Sequence, residues 1–142
     1  MNLELNKQLV RRYFEVAINE RNTAVLDELL SPDFKSYIST GGFVDAERYG
    51  QILNVSLTAF PDLHVTVLDQ VAEGDKVATR WQAVGTQAGP FANLPATGKK
   101  ITVTAMHIHR LENGRFLEHW EEFDMFRLLQ QVGAIPQPQP GG

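Results

Sequence analysis

The stretch KITVTAMHIHRLENGRFLEHWEEFDMF, residues 100–126, decides how the second half of this chain folds. Two segments rich in Val, Ile, Thr and aromatic residues flank Asn113-Gly114, a pair that favours the two-residue turn of a β-hairpin. In an antiparallel hairpin, facing residues project to the same side of the sheet. The register of this hairpin therefore determines the surroundings of every polar residue in the stretch.

A two-residue turn predicts that Glu112 faces Arg115 and that His109 faces Glu118. The same count makes His107 face Trp120, Ala105 face Glu122 and Val103 face Asp124. One side of the sheet is then expected to carry His107, His109, Glu118, Trp120, Glu122 and Asp124. The other side is expected to carry Met106, Ile108, His119, Glu121 and Phe123. A β-bulge between Gly114 and Asp124 would shift this division by one residue.

The carboxylates among these aromatic residues have two interpretations. Val103 and Ala105 are small, so they leave room above Asp124 and Glu122, as a ligand cavity requires, and a carboxylate in a cavity suits acid/base chemistry. Alternatively, this side of the sheet faces water or another subunit, since structural ion pairs also gather charged residues. The residues alone do not choose between the two.

His107 and His109 also raise the question of a metal site, because His-x-His on a strand projects both rings to one side, with Glu118 as a third ligand. Solvent is the simpler partner for groups near a hairpin turn. We expect neither a metal nor an organic cofactor. His107, opposite Trp120, is expected instead to hydrogen-bond a ligand in the pocket.

The rest of the chain supplies helices first and strands later. Apolar spacing predicts helices over 3–18, from about 22 to 30, and over 45–59, with Asp45 capping the last. Further strands are expected over 63–72 and 76–87, and a short extended piece over 34–38. A long loop over 85–100 joins the strands to the hairpin. Together these predict an α+β fold: three N-terminal helices packed on a curved antiparallel sheet, as a cone with a pocket inside.

Composition limits the class of function. The 142 residues suit one domain, expected over 1–135, with a flexible Pro/Gly tail over 136–142. A net charge of −4 disfavours nucleic acid and anionic membranes as partners. The chain has no cysteine, which excludes thiol nucleophiles and cysteine-ligated metals. We expect a cytoplasmic protein that forms a homodimer or homotetramer through the outer sheet face.

Several short motifs, taken in order, resemble those of one family. They are Ala59-Phe60-Pro61-Asp62, Gly74-Asp75-Lys76-Val77-Ala78-Thr79-Arg80-Trp81, Gly85-Thr86 with Gly89 and Phe91, Pro95-Ala96-Thr97-Gly98-Lys99, residues 114–120, Asp124, and Gln130-Gln131-Val132-Gly133. The chain resembles the SnoaL-like polyketide cyclases, or predicted ester cyclases, of the nuclear transport factor 2-like fold. Gln87 stands where the family often has histidine, and Val132 where it usually has leucine.

The resemblance implies an intramolecular aldol condensation that closes a ring of a polyketide ester without a cofactor. It implies that Asp124 is the catalytic acid/base, with His107 assisting. Contacts to the hydrophobic substrate are expected from Trp120, Glu122, Tyr13 and Asn54. Two alternatives stay open: an isomerase or hydrolase-like acid/base enzyme on another carbonyl compound, and a small-molecule-binding module without catalysis.

Overall fold

A computed structural model describes residues 2–38 and 41–136 of the chain. The helices are α1 (Leu3–Arg12), a π-helical turn (Tyr13–Asn19), a 3₁₀ turn (Thr23–Val25), α2 (Leu26–Leu29), α3 (Ala46–Ala59) and α4 (Met125–Gln131). The strands are β1 (Leu30–Tyr37), β2 (Phe43–Val44), β3 (His64–Glu73), β4 (Lys76–Thr86), β5 (Lys100–Glu112) and β6 (Arg115–Phe123). The α+β class is confirmed.

The six strands form one sheet in the order β2-β1-β6-β5-β4-β3. All neighbours are antiparallel except β1 and β6, which run parallel. Hairpin connections account for the consecutive antiparallel pairs β3–β4 and β5–β6. The prediction of an antiparallel sheet is therefore correct for the two hairpins. It did not include the parallel pair of β1 with β6.

The N-terminal helical segment begins where the sequence places it. The Asn2 side chain accepts a hydrogen bond from the Leu5 N–H and caps α1. After Arg12 the helix widens into a π-helical turn that buries Tyr13, Phe14 and Ala17. Such wide turns are often found at functional sites. Asp45 caps α3 as predicted, by accepting from the Arg48 N–H at 2.9 Å.

The helices cover one face of the sheet, and the core lies between the two layers. Alternate residues of β4 and β5 are buried there, beginning with Val77 on β4 and Ile101 on β5. This two-residue period is typical of a sheet with one covered face and one open face. Phe14 and Phe34 fill the core from the helical turn and from β1.

Three element boundaries differ from the prediction. The second helix ends at Leu29, and Ser31-Pro32 lies within β1, where proline is tolerated toward the edge of the sheet. β6 ends at Phe123 because Asp124 caps an additional helix, α4, by accepting a hydrogen bond from the Arg127 N–H. The region predicted as a loop over 85–100 begins two residues later, since β4 continues to Thr86.

Two β-bulges change the register within the hairpins β3–β4 and β5–β6. Leu68 is unpaired in β3, so Val67 faces Trp81 and the next pair joins Asp69 to Arg80. The Asp69–Arg80 ion pair is formed, at 3.1 Å. In β6 the extra residue is Leu117, because Leu111 pairs with Phe116 and the next pair joins Arg110 to Glu118. A bulge moves every following side chain to the opposite side.

The predicted flexible tail falls mostly on residues 137–142, which lie outside the described part of the chain. Among residues 2–38 and 41–136, no helix combines the length and the apolar character that crossing a bilayer requires.

Candidate functional site

The Leu117 bulge reverses the predicted division of β6. Beyond it, His109 faces His119, His107 faces Glu121 and Ala105 faces Phe123. The predicted pairs His109–Glu118, His107–Trp120, Ala105–Glu122 and Val103–Asp124 are therefore wrong. The residues that share the covered side with His107 and His109 are His119, Glu121 and Phe123.

Three of the four histidines of the chain meet in the covered interior. His107, His109 and His119 are 3%, 1% and 1% exposed. The ring centroids of His107 and His119 are 4.5 Å apart, and those of His109 and His119 are 4.8 Å apart. We call these three residues the histidine cluster.

Aromatic residues enclose the histidine cluster. Phe14 from the π-helical turn stacks on His107 at 5.4 Å, with 22° between the ring planes. Phe116 packs on His109, at 4.6 Å between ring centroids. Trp81 meets His107 edge-on at 5.2 Å. The cluster therefore lies in an apolar environment.

Two residues engage the outer nitrogens of the cluster. His119 Nδ1 and Ser36 Oγ are hydrogen-bonded at 2.9 Å. His107 Nε2 lies 3.0 Å from Glu121 Oε1, within ion-pair distance. His107 Nδ1, His109 Nδ1 and His119 Nε2 are buried without a hydrogen-bond partner.

The electrostatics of the interior follow from burial and from crowding of like groups. Burial, with the neighbouring His119 and His107, holds the pKa of His109 well below its usual 6.5. Burial and His107 lower the pKa of His119 to about 3, although Glu121 opposes this. Both rings are therefore neutral at physiological pH.

Glu121 is the carboxylate that reaches this interior. Its side chain is 36% exposed, so it extends from the buried His107 toward solvent. Burial by itself raises the pKa of Glu121, but the attraction and close contact of His107, together with His119, outweigh burial and lower it. Glu121 is consequently an ionised carboxylate that lies between the buried ring of His107 and solvent.

Two tyrosines add hydroxyl groups to the same interior. The Tyr13 and Tyr49 hydroxyls are hydrogen-bonded to each other. Burial raises the pKa of both phenols, and the charge of Glu121 adds to this. Both therefore stay protonated. Because one proton lies between the two oxygens, the other remains available for donation. Tyr13, expected to contact substrate, is thus in the interior, 2% exposed.

Trp120 and Glu122, also expected to contact substrate, lie on the opposite side of the sheet from the histidine cluster. Trp120 stacks on Tyr37, with ring centroids 5.3 Å apart and planes 9° apart. Glu122 is exposed and faces Met106. The one-residue shift at Leu117 is the physical reason for both displacements.

Asp124 and Asn54 are also displaced from the cluster. Asp124 is exposed at the start of α4, where its side chain caps the helix. Asn54 is exposed on α3 and lines a surface groove with Leu26 and Gly50. Of the six residues expected at the site, the interior brings together His107 and Tyr13.

Glu118, considered as a third metal ligand, belongs to an outer ion-pair network. It accepts hydrogen bonds from the Tyr37 hydroxyl at 2.7 Å and from Arg110 Nε at 2.6 Å. The Tyr37 bond and the Arg110 contacts lower the pKa of Glu118 despite partial burial. Its carboxylate is on the other side of the sheet from His107.

Gln87, the departure from the family pattern, holds the loop after β4 together. Its Nε2 donates to the carbonyls of Gly89, at 3.3 Å, and Pro95, at 3.1 Å, and its Oε1 accepts from the Thr97 hydroxyl at 2.7 Å. The side chain is 1% exposed. Its amide is therefore fully used within the loop.

A family comparison agrees with this architecture. The sequence profile of the SnoaL-like polyketide cyclases matches residues 7–132. The chain belongs to this family. No curated protein sequence matches it.

Solved structures of several relatives share the fold. AclR from Streptomyces galilaeus, described as a candidate hydroxylase, is 27% identical with a TM-score of 0.90, over 98% of this chain and 87% of its own. TsrD from Streptomyces laurentii is 30% identical with a TM-score of 0.85, over 95% and 99%. IdmH from Streptomyces antibioticus, a candidate polyketide cyclase, is 31% identical with a TM-score of 0.79, over 90% and 98%.

Sequence reasoning missed Glu121, His119 and Tyr49 as residues of the interior. One signal was available for the first two. Phe116 and Phe123 are seven positions apart, an odd number, so a regular strand cannot bury both on one side. In the structure the bulge between them turns both side chains toward the core. Phe116 is 1% exposed, and Phe123 is partly buried against the core.

Proposed function

We propose that this SnoaL-like protein is an acid/base enzyme acting on a hydrophobic carbonyl compound, with Glu121 as the base. The observation that carries the proposal is the contact between Glu121 Oε1 and His107 Nε2, 3.0 Å apart, where the buried interior meets solvent. A general base needs a fixed carboxylate that a substrate can reach. Glu121 meets both conditions, being anchored by a buried ring and partly exposed.

The reaction that suits this family is an intramolecular aldol condensation. Glu121 removes a proton from a carbon that lies between two carbonyl groups, and the resulting enolate attacks a second carbonyl carbon of the same molecule. A carbon–carbon bond forms, and the alkoxide oxygen takes the proton back from Glu121. The protein supplies orientation and excludes water, since no external reactant is consumed.

The Tyr13–Tyr49 pair is suited to hold the substrate oxygen on which enolate charge develops. Both phenols are neutral donors, and one hydroxyl proton is free to point at an oxyanion. Donors aimed at a developing negative charge in a water-poor site contribute strongly to catalysis. In this proposal His107 positions Glu121, and Tyr13 keeps the substrate-contacting role that the sequence suggested.

A candidate reaction other than cyclisation draws support from one relative. AclR is described as a candidate hydroxylase and has the same fold over 98% of this chain. Proton abstraction next to a carbonyl is the first step of many conversions of an enolisable compound. The proposed step is therefore enolisation by Glu121. Which group the enolate then attacks depends on the substrate.

The experiment measures enolisation directly, without the natural substrate. Benzo-fused ketones such as 2-tetralone, and aryl β-keto esters, are incubated with the protein in D2O, and loss of the proton signal next to the carbonyl is followed by NMR. We expect exchange above the buffer rate, reduced by about 10²–10⁴ in Glu121→Gln, the typical contribution of a general base. Exchange at the buffer rate for every compound would contradict the proposal.

A further inference from the structure

The histidine cluster has more unpaired nitrogens than a packed interior normally tolerates. Buried polar side-chain atoms nearly always have a hydrogen-bond partner, and each exception calls for an explanation such as an ion. Here His107 Nδ1, His109 Nδ1 and His119 Nε2 are all buried and without one. One nitrogen from each of the three rings can be chosen so that all lie within 4.8 Å of one another.

We propose that His107, His109 and His119 together bind one divalent transition-metal ion, for which Zn²⁺ is the best-suited occupant. This inference does not rest on the proposed acid/base function, because it concerns binding in the absence of substrate. It replaces the earlier candidate ligand Glu118, which faces the other side of the sheet, by His119, which the Leu117 bulge turns inward.

The partners of the cluster match those of metal-binding histidines. A histidine ligand usually has its other ring nitrogen held by a carboxylate, hydroxyl or carbonyl, which orients the ring. Ser36 Oγ engages His119 Nδ1 and leaves Nε2 for a ligand bond. Glu121 lies near His107 Nε2, so that His107 Nδ1 remains available for a ligand bond. Two of the three rings thus have a polar partner at one nitrogen and none at the other.

The donor atoms select the class of ion. Imidazole nitrogens suit Zn²⁺, Co²⁺ and Ni²⁺, whereas Mg²⁺ and Ca²⁺ prefer oxygen ligands. A neutral imidazole is the form that binds a metal ion. Three protein ligands leave the fourth coordination position open. In zinc enzymes a substrate carbonyl oxygen can bind at this position and is polarised by the metal ion.

Metal content provides the first test. The full chain, expressed without a polyhistidine tag, is stripped with a chelator, dialysed against Zn²⁺ and then against buffer, and analysed for bound zinc. We expect one Zn²⁺ per chain. After the same treatment with Mg²⁺ in place of Zn²⁺, we expect no bound Mg²⁺. The exposed His64 gives the control variant His64→Gln, which should retain the ion.

The decisive variant is His109→Phe. It replaces a buried ring with one of similar shape and removes an unpaired nitrogen from an aromatic environment, so it should fold. We expect Zn²⁺ to raise the Tm of the parent protein and of His64→Gln but to leave the Tm of His109→Phe unchanged. With Co²⁺ as the probe, the visible absorption of a nitrogen-ligated site should appear in the parent and be absent from His109→Phe.

Ser36→Ala tests the orienting contact. Loss of an outer partner of a metal ligand typically weakens metal affinity by about 10–100-fold, and we expect a weakening in that range. If His109→Phe fails to fold, the zinc affinity of Ser36→Ala, compared with that of His64→Gln, tests the proposal instead. Absence of bound zinc in the parent, zinc retained by a folded His109→Phe, or zinc lost in His64→Gln would overturn the proposal.

Discussion

His109 lies directly opposite His119 across the β5–β6 hairpin, although counting from the Asn113-Gly114 turn pairs His109 with Glu118. The unpaired Leu117 accounts for the difference of one residue. Because of it, Glu121 and His119 point into the helix-covered interior, and Glu118, Trp120 and Glu122 point away. The site of this SnoaL-like protein is therefore defined by a bulge.

Deletion of Leu117 is predicted to disrupt the fold. Without it, a regular hairpin would turn Glu118 and Trp120 into the core and move His119 and Glu121 out, a change that strands with one buried face do not tolerate. We expect a loss of more than about 4 kcal/mol in the free energy of unfolding, measured by urea denaturation.

Leu117→Ala is the matched control, because it keeps the extra residue and truncates a half-buried side chain. Its cost should be about 1 kcal/mol. A deletion variant as stable as Leu117→Ala would show that the bulge does not set the two faces.

The sequence predicts the hairpin correctly up to the bulge and fails beyond it. Leu111–Phe116 and Glu112–Arg115 pair as the turn requires, and the alternation of β5 turns His107 inward as expected. The residue type at position 117 does not predict a bulge, since any side chain can occupy an unpaired strand position of this kind. The decisive preference is collective: the core gains both Phe116 and Phe123 only if one residue is skipped.

Helix α4 was missed for a different reason. Residues 124–126 read as a continuation of the strand because aromatic and apolar side chains fit either element. Asp124 is a strong N-cap residue, and its side chain ends the strand by starting a helix. The same residue that the resemblance marks as catalytic is thus also a structural cap.

Asp124→Ala is predicted to destabilise the protein, because the Arg127 N–H loses its acceptor. The expected cost is about 1 kcal/mol, measured as the change in free energy of unfolding in urea. Asp124→Asn should remain close to the parent, since asparagine caps a helix as well as aspartate does. Equal destabilisation by both substitutions would argue against the capping role.

Gly89 is predicted to be intolerant of any side chain. A Cβ there would lie 3.1 Å from the Thr58 carbonyl oxygen and 3.3 Å from the Ala59 Cα, and both contacts are backbone atoms at the end of α3. Gly89→Ala should lower the free energy of unfolding by about 1–3 kcal/mol, the usual cost of overpacking.

Gly50→Ala gives the opposite expectation within the same protein. Gly50 lies in α3, and its nearest contact for an added Cβ is Leu26 Cδ1 at 3.9 Å. Alanine there should stabilise the helix by about 0.5–1 kcal/mol. Thermal unfolding of the two variants should therefore shift the Tm in opposite directions, and a shift of the same sign in both would contradict the packing described for Gly89.

Asp62 is predicted to make stability depend on pH in the acid range. The Thr86 hydroxyl donates to its carboxylate at 2.8 Å and the Thr86 N–H at 2.7 Å, and these bonds hold the pKa of Asp62 below its usual 3.8. A carboxyl group with a lowered folded pKa stabilises the protein above its unfolded pKa. That contribution is lost as the pH falls through the folded pKa.

The measurement compares the Tm of the parent protein with that of Asp62→Asn from neutral pH down to below the usual aspartate range. We expect the parent to be more stable at neutral pH, with the difference shrinking on acidification. Thr86→Val, which removes the hydroxyl donor, should reduce the pH-dependent part. A difference that stays constant with pH would refute the assignment.

Two conservative variants, compared in the enolisation assay, distinguish Glu121 from Asp124 as the base. Glu121→Gln and Asp124→Asn each remove one carboxylate with little change of shape, and Asp124→Asn preserves the helix cap. We predict that Glu121→Gln loses about 10²–10⁴ in the rate of proton exchange while Asp124→Asn exchanges at the parent rate. Loss of exchange in Asp124→Asn with retention in Glu121→Gln would show that Asp124, and not Glu121, is the base.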